Sequence, residues 1–398
     1  MAFNRNILAK RTGKMSASAI REILKAASLP EMISLAGGIP SPDSFPMEII
    51  AKIQQSVLRT YGSTAFQYDL TEGIMPLREA VSVYLEKKQI RVTAKQVVIT
   101  TGSQGVLDAA GKILISKNEK VAVEAPTYLG ALQAFTPYEP KYIQLESDEE
   151  GVIPQTLEKA LLNHPVKFIY LVPNFQNPTG RTISMDRRKQ IAEIIKTHNA
   201  LLIEDDPYGD LRYRGSRLTP IKALAPDNVV YVSTLSKVFA PGLRLGFCAA
   251  PEFIQDWLVL AKQGVDLHTS TLNQAMAAEY LSAGHLERHL PHIVGLYRPR
   301  LEAMLEALEH FFPPGFSWSK PEGGMFVWVT GPAGMDMEAL YWKAIEKKVA
   351  YVPGTFFFAH KGDGKETMRL NFTMADPKTI KRAIEILSRL FEEELQDS

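Results

Sequence analysis

The chain has 398 residues, long enough for a large core and two domains. Its composition, with 45% hydrophobic and 22% charged residues, is ordinary for a soluble globular protein. Its formal net charge of +1 gives no electrostatic reason to expect nucleic acid or an acidic membrane as a partner. The single cysteine, Cys248, excludes an internal disulfide and a cysteine metal cluster, and we predict no metal site.

The N-terminal part of the chain combines a short helix with a glycine-rich loop. Residues 1–15 contain no apolar stretch of signal-peptide length, and no run of about 18 apolar residues occurs in the chain, so we expect a cytoplasmic protein. Residues 19–24 predict a short capped helix. Beyond it, Gly37 and Gly38 let the backbone approach another group closely, such as a substrate, although an ordinary turn is the alternative.

From Val97 onward, short apolar runs alternate with helical patterns. Strands are predicted at residues 97–100, 121–124, 142–145, 168–172, 201–204 and 229–232, and helices at 103–115 and 186–198. Repeated βα units with nearly continuous apolar strands indicate an α/β fold with a mainly parallel sheet covered by helices on both faces.

After about residue 290 the pattern indicates a smaller α+β domain. Helices are predicted at 297–312, 336–347 and 377–394, and strands at 325–329 and 368–372. We expect the N-terminal segment to join this smaller domain. The predicted organisation is an N-terminal segment over 1–45, a large domain over 46–290 and a small C-terminal domain over 291–398.

One lysine, Lys237, lies in a Ser/Thr-rich turn between two apolar runs. Burial there disfavours an ammonium group and lowers its pKa, which suits a lysine that forms a Schiff base. The hypothesis is that Lys237 carries pyridoxal 5′-phosphate (PLP), with Arg244, Thr234 and Ser236 around the phosphate. The alternative is a lysine in a surface turn, against which the flanking apolar runs argue.

Two loops at strand ends carry groups that this cofactor needs. Gly102, Ser103 and Gln104 lie between a strand and a helix, where backbone N–H groups and the helix dipole attract a phosphate. The alternative is an ordinary βα loop in which Ser103 caps the helix. Asn177, in an Asn-Pro-Thr-Gly sequence, is placed to donate a hydrogen bond to the phenolate oxygen O3′ of PLP, unless this is a simple Asn-Pro turn.

A third loop begins with Asp205 and Asp206 and reaches Tyr208. A buried carboxylate beside the pyridine nitrogen of PLP keeps that nitrogen protonated, so that the ring draws electrons well. Tyr208 is placed to reach O3′. The alternative is a solvated turn in which one aspartate caps a helix.

Together these motifs resemble the class I and II aminotransferases of the fold type I PLP enzymes. The resemblance rests on residues 234–237, 241–246, 177–180 and 205–208, and it extends over nearly the whole chain. It implies a large PLP-binding domain with a mainly parallel sheet, a smaller domain formed by the N-terminal segment and the C-terminal region, and a homodimer with shared active sites.

The resemblance also implies a role for each matching residue. Lys237 would hold the cofactor, Asp205 would pair with the pyridine nitrogen, and Asn177 and Tyr208 would contact O3′. Tyr128 would stack on the ring. The residues implied to hold the phosphate are Gly102, Ser103, Gln104, Thr234, Ser236, Arg244 and, from the partner subunit, Tyr68.

For the substrate, the resemblance implies that Arg369 binds the α-carboxylate, together with Asn177 and Gly38. The alternatives without a functional role are that Tyr128 and Tyr68 are core aromatics and that Arg369 faces solvent. Residues 18–21 resemble the 2-aminoadipate and kynurenine branch and its broad-specificity bacterial relatives, in which an arginine on a mobile N-terminal helix receives a distal carboxylate. Arg21 is the matching residue, and a solvated helix arginine is the alternative.

The implied activity is ping-pong transamination between an L-amino acid (2-aminoadipate, an aromatic or another) and 2-oxoglutarate, with Lys237 as the proton carrier. Two alternatives remain open at this point. The same scaffold supports PLP-dependent C–S lyases. Aminotransferase-like domains also serve as effector domains of transcription regulators, but only about 45 residues precede the large-domain pattern and no basic recognition helix is visible.

Overall fold

The computed structural model describes residues 7–15, 25, 29 and 31–396. The helix predicted over residues 19–24 lies outside these residues, and so does Arg21. Within the described part of the chain, no helix combines the length and the apolar character that crossing a membrane requires.

The described helices and strands alternate along most of the chain. The α-helices are α1 (Met47–Tyr61), α2 (Met75–Glu86), α3 (Ser103–Leu114), α4 (Leu129–Phe135), α5 (Pro154–Asn163), α6 (Met185–Thr197), α7 (Ile221–Leu224), α8 (Glu252–Asp266), α9 (Thr271–Ser282), α10 (His285–Phe311), α11 (Met337–Glu346) and α12 (Pro377–Gln396). The strands are β1 (Ile33–Ser34), β2 (Val97–Thr100), β3 (Lys120–Glu124), β4 (Lys141–Leu145), β5 (Ser147–Asp148), β6 (Gly151–Val152), β7 (Val166–Leu171), β8 (Leu202–Asp205), β9 (Val229–Thr234), β10 (Gly246–Ala249), β11 (Ser317–Trp318), β12 (Phe326–Thr330), β13 (Val349–Ala350), β14 (Val352–Pro353) and β15 (Thr367–Asn371).

A seven-stranded sheet, in the order β2-β10-β9-β8-β7-β3-β4, forms the centre of the fold. All neighbouring pairs are parallel except those of β10, which runs antiparallel to β2 and β9. Strands β2, β8, β9 and β10 are buried at every position. Continuous burial explains their nearly unbroken apolar sequences, because helices cover both faces of the sheet. The predicted α/β fold with a mainly parallel sheet is confirmed.

The C-terminal region builds a second sheet, which the N-terminal segment joins at its margin. Strands β11, β12, β15 and β14 form a four-stranded antiparallel sheet, and β1 pairs with β13 in parallel. Leu35 continues this pairing, since its N–H donates to Ala350 and its carbonyl accepts from Asn371. The expectation that the N-terminal segment joins the C-terminal region is therefore confirmed for the residues from Ile33 onward.

The clearest error in the sequence prediction is the start of α10. The helix was expected from residue 297, but it begins at His285 and runs through Pro291 and Pro299. A proline inside a helix removes a backbone hydrogen bond, so the sequence favours a break at these positions. Burial of Leu286 and Ile293 in the core compensates for that loss. The predicted domain limit at residue 290/291 falls inside this helix, and the domain limits stay a prediction.

Candidate active site

The functional side chains gather at the edge where the parallel strands of the large sheet end. Asp205 is the last residue of β8, and Thr234, which ends β9, lies three residues before Lys237. Because β10 is antiparallel, its first residue, Gly246, lies opposite Thr100 and Thr234 at the same edge. Strand ends of this kind bring residues from distant parts of the chain to one crevice.

An anion cradle lies where α3 begins. Gly102 caps α3 at a φ of +77°, and a Cβ added there would lie 2.6 Å from the Arg244 guanidinium. A Cβ at Gly246 would lie 2.5 Å from the backbone nitrogen of Ser103. Only glycine allows this approach, so the free N–H groups of the helix terminus and a guanidinium face one another. Gln104 is fixed beside them by a 2.8 Å hydrogen bond to the carbonyl of Gly130.

Two hydroxyls of the lysine turn adjoin this cradle. Thr234 donates to the carbonyl of Leu245 at 2.8 Å and accepts from the backbone N–H of Ser236 at 3.2 Å. These bonds tie the turn to the residue that follows Arg244. The Ser236 hydroxyl lies 2.9 Å from the Thr234 hydroxyl. A helix N-terminus and a guanidinium, with these hydroxyls in the adjoining turn, are the donors that a phosphate needs.

Lys237 points from this turn toward the N-terminal segment. Its Nζ donates to the carbonyl of Gly38 at 3.0 Å. Burial, helped by the positive charges of Arg369 and Arg244, lowers the pKa of Lys237 to about 8. A substantial fraction of the amine is therefore neutral slightly above neutral pH, as a nucleophile or a general base requires.

The Asp205 carboxylate is buried and only half satisfied. Oδ2 accepts a 2.8 Å hydrogen bond from the hydroxyl of Tyr170, whereas the buried Oδ1 has no partner in the structure. Burial raises the pKa of Asp205 to about 7; the Tyr170 hydrogen bond opposes this rise, and the charge of Asp206 adds to it. A buried oxygen without a donor is costly unless a ligand supplies one.

Asp206, in contrast, has a partner for each of its carboxylate oxygens. Its carboxylate accepts from Tyr231 at 2.7 Å and from Asn174 at 2.9 Å, and the Lys88 ammonium lies 3.5 Å away. Burial alone raises the pKa of Asp206, but Lys88 and these hydrogen bonds outweigh burial and hold the pKa below its usual value. Of the two adjacent aspartates, Asp205 alone is available to a ligand.

Arg369 reaches the same crevice from β15. It is 5% exposed, and it donates to Oδ1 of Asn177 at 2.8 Å and to the carbonyl of Ala36 at 2.7 Å. The rings of Phe326 and Phe357 lie 4.2 and 5.0 Å from its guanidinium carbon, and Nε has no partner. Burial lowers the pKa of Arg369 to about 10, so the group remains charged near neutral pH.

Two tyrosines complete the crevice. Burial, followed by the charge of Asp205, raises the pKa of Tyr128, while Arg369 and Arg244 oppose that rise. Burial likewise raises the pKa of Tyr208, and Arg369 and Asn177 oppose it. The charges of the aspartate and the arginines therefore act on both phenols, and the ring of Tyr208 lies edge-on at 5.9 Å to Phe326, the ring that packs against the Arg369 guanidinium.

The structure thus brings together nearly all of the residues that the sequence singled out. The residues that meet in this crevice are Gly38, Gly102, Ser103, Gln104, Tyr128, Asn177, Asp205, Tyr208, Thr234, Ser236, Lys237, Arg244 and Arg369. Tyr68 stands apart: it is 77% exposed and packs edge-on against His268 at 5.6 Å. Arg21 lies outside the described residues.

Sequence reasoning missed several residues that shape the crevice. Tyr170 is a buried strand residue with no local motif, and Phe326 and Phe357 contact Arg369 only after the C-terminal sheet has formed. Two further contacts come from backbone carbonyls and not from side chains: Ala36 accepts a hydrogen bond from Arg369, and Gly38 accepts one from Lys237. The paired glycines were the one available signal, because they indicate a close backbone approach.

Comparison with known proteins gives the family. The family model for aminotransferase class I and II matches residues 30–387. The chain belongs to the class I and II aminotransferases. It is therefore a transaminase, an enzyme that depends on PLP and acts on amino acids and oxo acids.

Three relatives illustrate the similarity. The chain is 45% identical to aromatic-amino-acid aminotransferase 1 of Thermococcus litoralis, over 96% of this chain and 93% of that protein. The Pyrococcus horikoshii kynurenine aminotransferase structure, in complex with PMP, is 45% identical over 98% of each chain, with a TM-score of 0.94. The α-aminoadipate aminotransferase LysN of Thermus thermophilus, complexed with N-(5′-phosphopyridoxyl)-L-leucine, is 38% identical over 99% of each chain, with a TM-score of 0.92.

The residues of the crevice fit PLP. The unpaired Oδ1 of Asp205 suits a protonated ring nitrogen, and the cradle at Gly102 and Arg244 suits a phosphate. The Lys237 amine, with its lowered pKa, suits covalent attachment. The structure therefore offers a group that suits the ring nitrogen of PLP, a group that suits its phosphate and an amine that suits its reactive carbon.

Proposed function

We propose that this aminotransferase moves an amino group between a broad range of L-amino acids, including 2-aminoadipate and aromatic ones, and 2-oxoglutarate in ping-pong turnover. One observation carries the proposal. Gly38 accepts a hydrogen bond from Lys237, and a Cβ at Gly38 would lie 3.9 Å from Arg369. A proton-transferring amine and a carboxylate-binding guanidinium thus border the same residue, within reach of a single bound amino acid.

Each residue would have a defined role toward the cofactor. Lys237 would carry it, Asp205 would accept the N–H of its ring nitrogen through Oδ1, and Asn177 and Tyr208 would hold O3′. Tyr128 would cover the ring. The phosphate would be bound by Gly102, Ser103, Gln104, Thr234, Ser236 and Arg244. When bound, PLP supplies an electron sink that makes the Cα–H bond of an amino acid acidic.

The residues of the chain would then orient the substrate and move its proton. Arg369 would hold the α-carboxylate, with the guanidinium kept in position by Asn177 and Ala36. Lys237 Nζ would accept the Cα proton and return it, since its pKa of about 8 allows both directions near neutral pH. The buried rings of Phe326 and Phe357 would exclude water from the carboxylate site.

A homodimer with shared active sites forms part of the proposal. Phe66, Tyr68 and Leu70 are 67%, 77% and 58% exposed, an unusual group of large apolar side chains on one loop. Tyr68 packs against His268, and Thr101, which precedes the cradle, donates to Asp266 at 2.5 Å. The exposure of these side chains, next to the segment that contacts the cradle, supports the proposal that a second copy covers this loop and that Tyr68 reaches the phosphate of that copy.

A substrate panel tests the proposed reaction. With 2-oxoglutarate as acceptor, we expect turnover of 2-aminoadipate, kynurenine and aromatic amino acids, and none of it with Lys237→Ala. Release of pyruvate or ammonia from a cysteine-type substrate without any oxo acid would instead indicate a C–S lyase.

The variant Arg21→Ala tests the residue proposed to bind the distal carboxylate of the substrate. Loss of activity toward dicarboxylic substrates alone would support this role of Arg21, and an equal loss for all substrates would refute it. The cytoplasmic location stays a prediction.

A further inference from the structure

Tyr170 is the hydrogen-bond partner of Asp205 within the large sheet. It lies in β7, next to β8 in the large sheet, and is 0% exposed. Its hydroxyl donates a hydrogen bond to Oδ2 of the Asp205 carboxylate at 2.8 Å. A phenol cannot serve here as a base, because burial and the neighbouring Asp205 charge raise the pKa of Tyr170 well above its usual value. Tyr170 is therefore a permanent donor.

This hydrogen bond makes the two oxygens of the Asp205 carboxylate different from each other. Oδ2 is bound from inside the protein, whereas Oδ1 is buried and unpaired. A carboxylate held at neither oxygen would be free to rotate and would present either oxygen to a ligand. With Oδ2 bound, only Oδ1 can receive the N–H of a ring nitrogen, so the direction of that hydrogen bond is set before the cofactor binds.

We propose that Tyr170 is a positioning residue that binds one oxygen of Asp205, orients the other toward the ring nitrogen of PLP and keeps the shared proton on that nitrogen. The proposal rests on the assignment of Asp205 to the ring nitrogen made above. Tyr170 touches neither cofactor nor substrate in this scheme and acts through Asp205 alone.

The balance of charges around Asp205 explains why one hydrogen bond matters. Burial raises the pKa of Asp205, and the adjacent Asp206 raises it further, so the only opposing contribution among the named contacts comes from Tyr170. The other titratable groups that face Asp205 are the phenols Tyr128 and Tyr208, whose own pKa values are raised. Without Tyr170, the carboxyl group would hold the shared proton itself and leave the ring nitrogen neutral.

Packing against neighbouring residues holds the Tyr170 ring, and with it the hydroxyl group, in position. Phe135, in α4, lies edge-on to the Tyr170 ring at 5.9 Å, and α4 begins directly after Tyr128. The residue proposed to cover the cofactor ring and the residue that orients Asp205 are thus linked through one short helix. A phenylalanine at position 170 would keep this packing and lose only the donor.

The experiment compares Tyr170→Phe with Tyr351→Phe in the holoenzyme. Tyr351 is a matched control, since it is also fully buried and its hydroxyl donates at 2.7 Å to the carbonyl of Met337 in the C-terminal region. The direct readout is the ¹⁵N chemical shift of ¹⁵N-labelled PLP, which separates a protonated ring nitrogen from a neutral one. We expect the shift to move toward the neutral form in Tyr170→Phe only.

Kinetics and binding give the second readout. A hydrogen bond to an ionised group corresponds to about a tenfold to hundredfold change in a rate or an equilibrium constant. In Tyr170→Phe we therefore expect kcat to fall by about that factor, PLP to dissociate more readily and the substrate KM to change little. A merely structural tyrosine would lower Tm, as Tyr351→Phe should, without moving the ¹⁵N shift.

Three outcomes decide the matter. A wild-type ¹⁵N shift in Tyr170→Phe would overturn the proposal while leaving the Asp205 assignment intact, provided that Asp205→Asn does move the shift. A wild-type shift in Asp205→Asn would overturn both. If Tyr170→Phe does not fold, Tyr170→Gln and Tyr170→Met make the same comparison, because they have similar volumes and only glutamine can donate; identical shifts in these two would also refute the proposal.

Discussion

Asp205 and Arg369 are both buried charged residues of β-strands, yet the regions that present them are built differently. Asp205 ends β8, and Asn177 and Lys237 lie within a few residues of the ends of the adjacent parallel strands β7 and β9. Arg369 lies in the middle of β15 and binds Asn177 and Ala36, which are 192 and 333 residues away in sequence. The large sheet presents the proposed cofactor-binding groups by its topology, whereas the proposed carboxylate site exists only where three segments meet.

This difference predicts two separable kinds of damage. Changes at the sheet edge should affect the cofactor and the chemical step, because the residues proposed to bind PLP lie there. Changes at Arg369 should affect the substrate while the cofactor stays bound, since its guanidinium is assigned to the substrate carboxylate. The following predictions test this separation, from the largest expected effect to the smallest.

Lys237→Ala should abolish transamination and the absorbance of covalently bound PLP, because no other amine occupies its position. Lys222→Met is the matched control: Lys222 is also buried, and its amine donates to the carbonyls of Pro226 and Val229 at 2.6 and 2.8 Å. The control should lower Tm and retain the absorbance band. Transamination by Lys237→Ala at a near wild-type rate would contradict the assignment of the lysine.

Arg369→Leu should lower kcat/KM for every amino acid and oxo acid by at least about a hundredfold, close to 3 kcal/mol, because each substrate loses a charge-assisted fork. The PLP absorbance should remain, and this outcome separates the two regions. Arg78→Leu is the control: Arg78 is also buried, and it donates only to backbone carbonyls of residues 94, 95 and 97. We expect Arg78→Leu to lower Tm and to leave KM unchanged. Loss of PLP from Arg369→Leu would refute the separation of cofactor binding from substrate binding.

Mixed dimers should show whether the sheet edge is completed by a second copy. Lys237→Ala and Tyr68→Ala, each impaired alone, should recover activity after denaturation and refolding together. In the mixed dimer, one site receives Lys237 from one copy and Tyr68 from the other, so up to about a quarter of wild-type activity is expected from random pairing. Activity equal to the sum of the separate variants would show that Tyr68 does not act across an interface.

Glu124→Gln should stabilise the protein at pH 8 and should stabilise it much less at pH 5. Glu124 ends β3, is buried, accepts from Ser147 at 3.0 Å through Oε1 and has an unpaired Oε2. Burial raises the pKa of Glu124 to about 7, against an ordinary value of 4.5. Between these values Glu124 ionises in the unfolded chain but not in the folded one, so the stability that is fully present below about 4.5 is lost as the pH rises to about 7.

The expected gain at pH 8 is on the order of 2 kcal/mol in the free energy of unfolding, because glutamine avoids burying a charge. Denaturant unfolding at the two pH values measures it. Glu346→Gln, on an exposed helical position, should show no difference between them. An equal gain for Glu124→Gln at pH 5 and pH 8 would mean that ionisation of Glu124 is not the cause.

The sequence predicted the large sheet and most of the candidate site residues at its edge, because parallel strands are buried on both faces and leave a clear apolar pattern. Asp205, Asn177 and Lys237 could be found since each follows such a run closely. The start of α10 could not be predicted, because Pro291 and Pro299 favour a break and only the buried contacts of Leu286 and Ile293 overcome it. Local preference was outweighed by packing with residues far away in the chain.

By itself, then, the sequence determined the fold class and singled out the lysine and the candidate groups at the strand ends, since these depend on local periodicity and on spacing from a strand. Only the tertiary structure decided which oxygen of Asp205 is free, which carbonyl Lys237 contacts and what surrounds Arg369. The physical reason is the same in each case. Tyr170, Gly38 and Ala36 have no chemistry that marks them in the sequence, and they acquire their roles only by approaching a buried charge that must be satisfied.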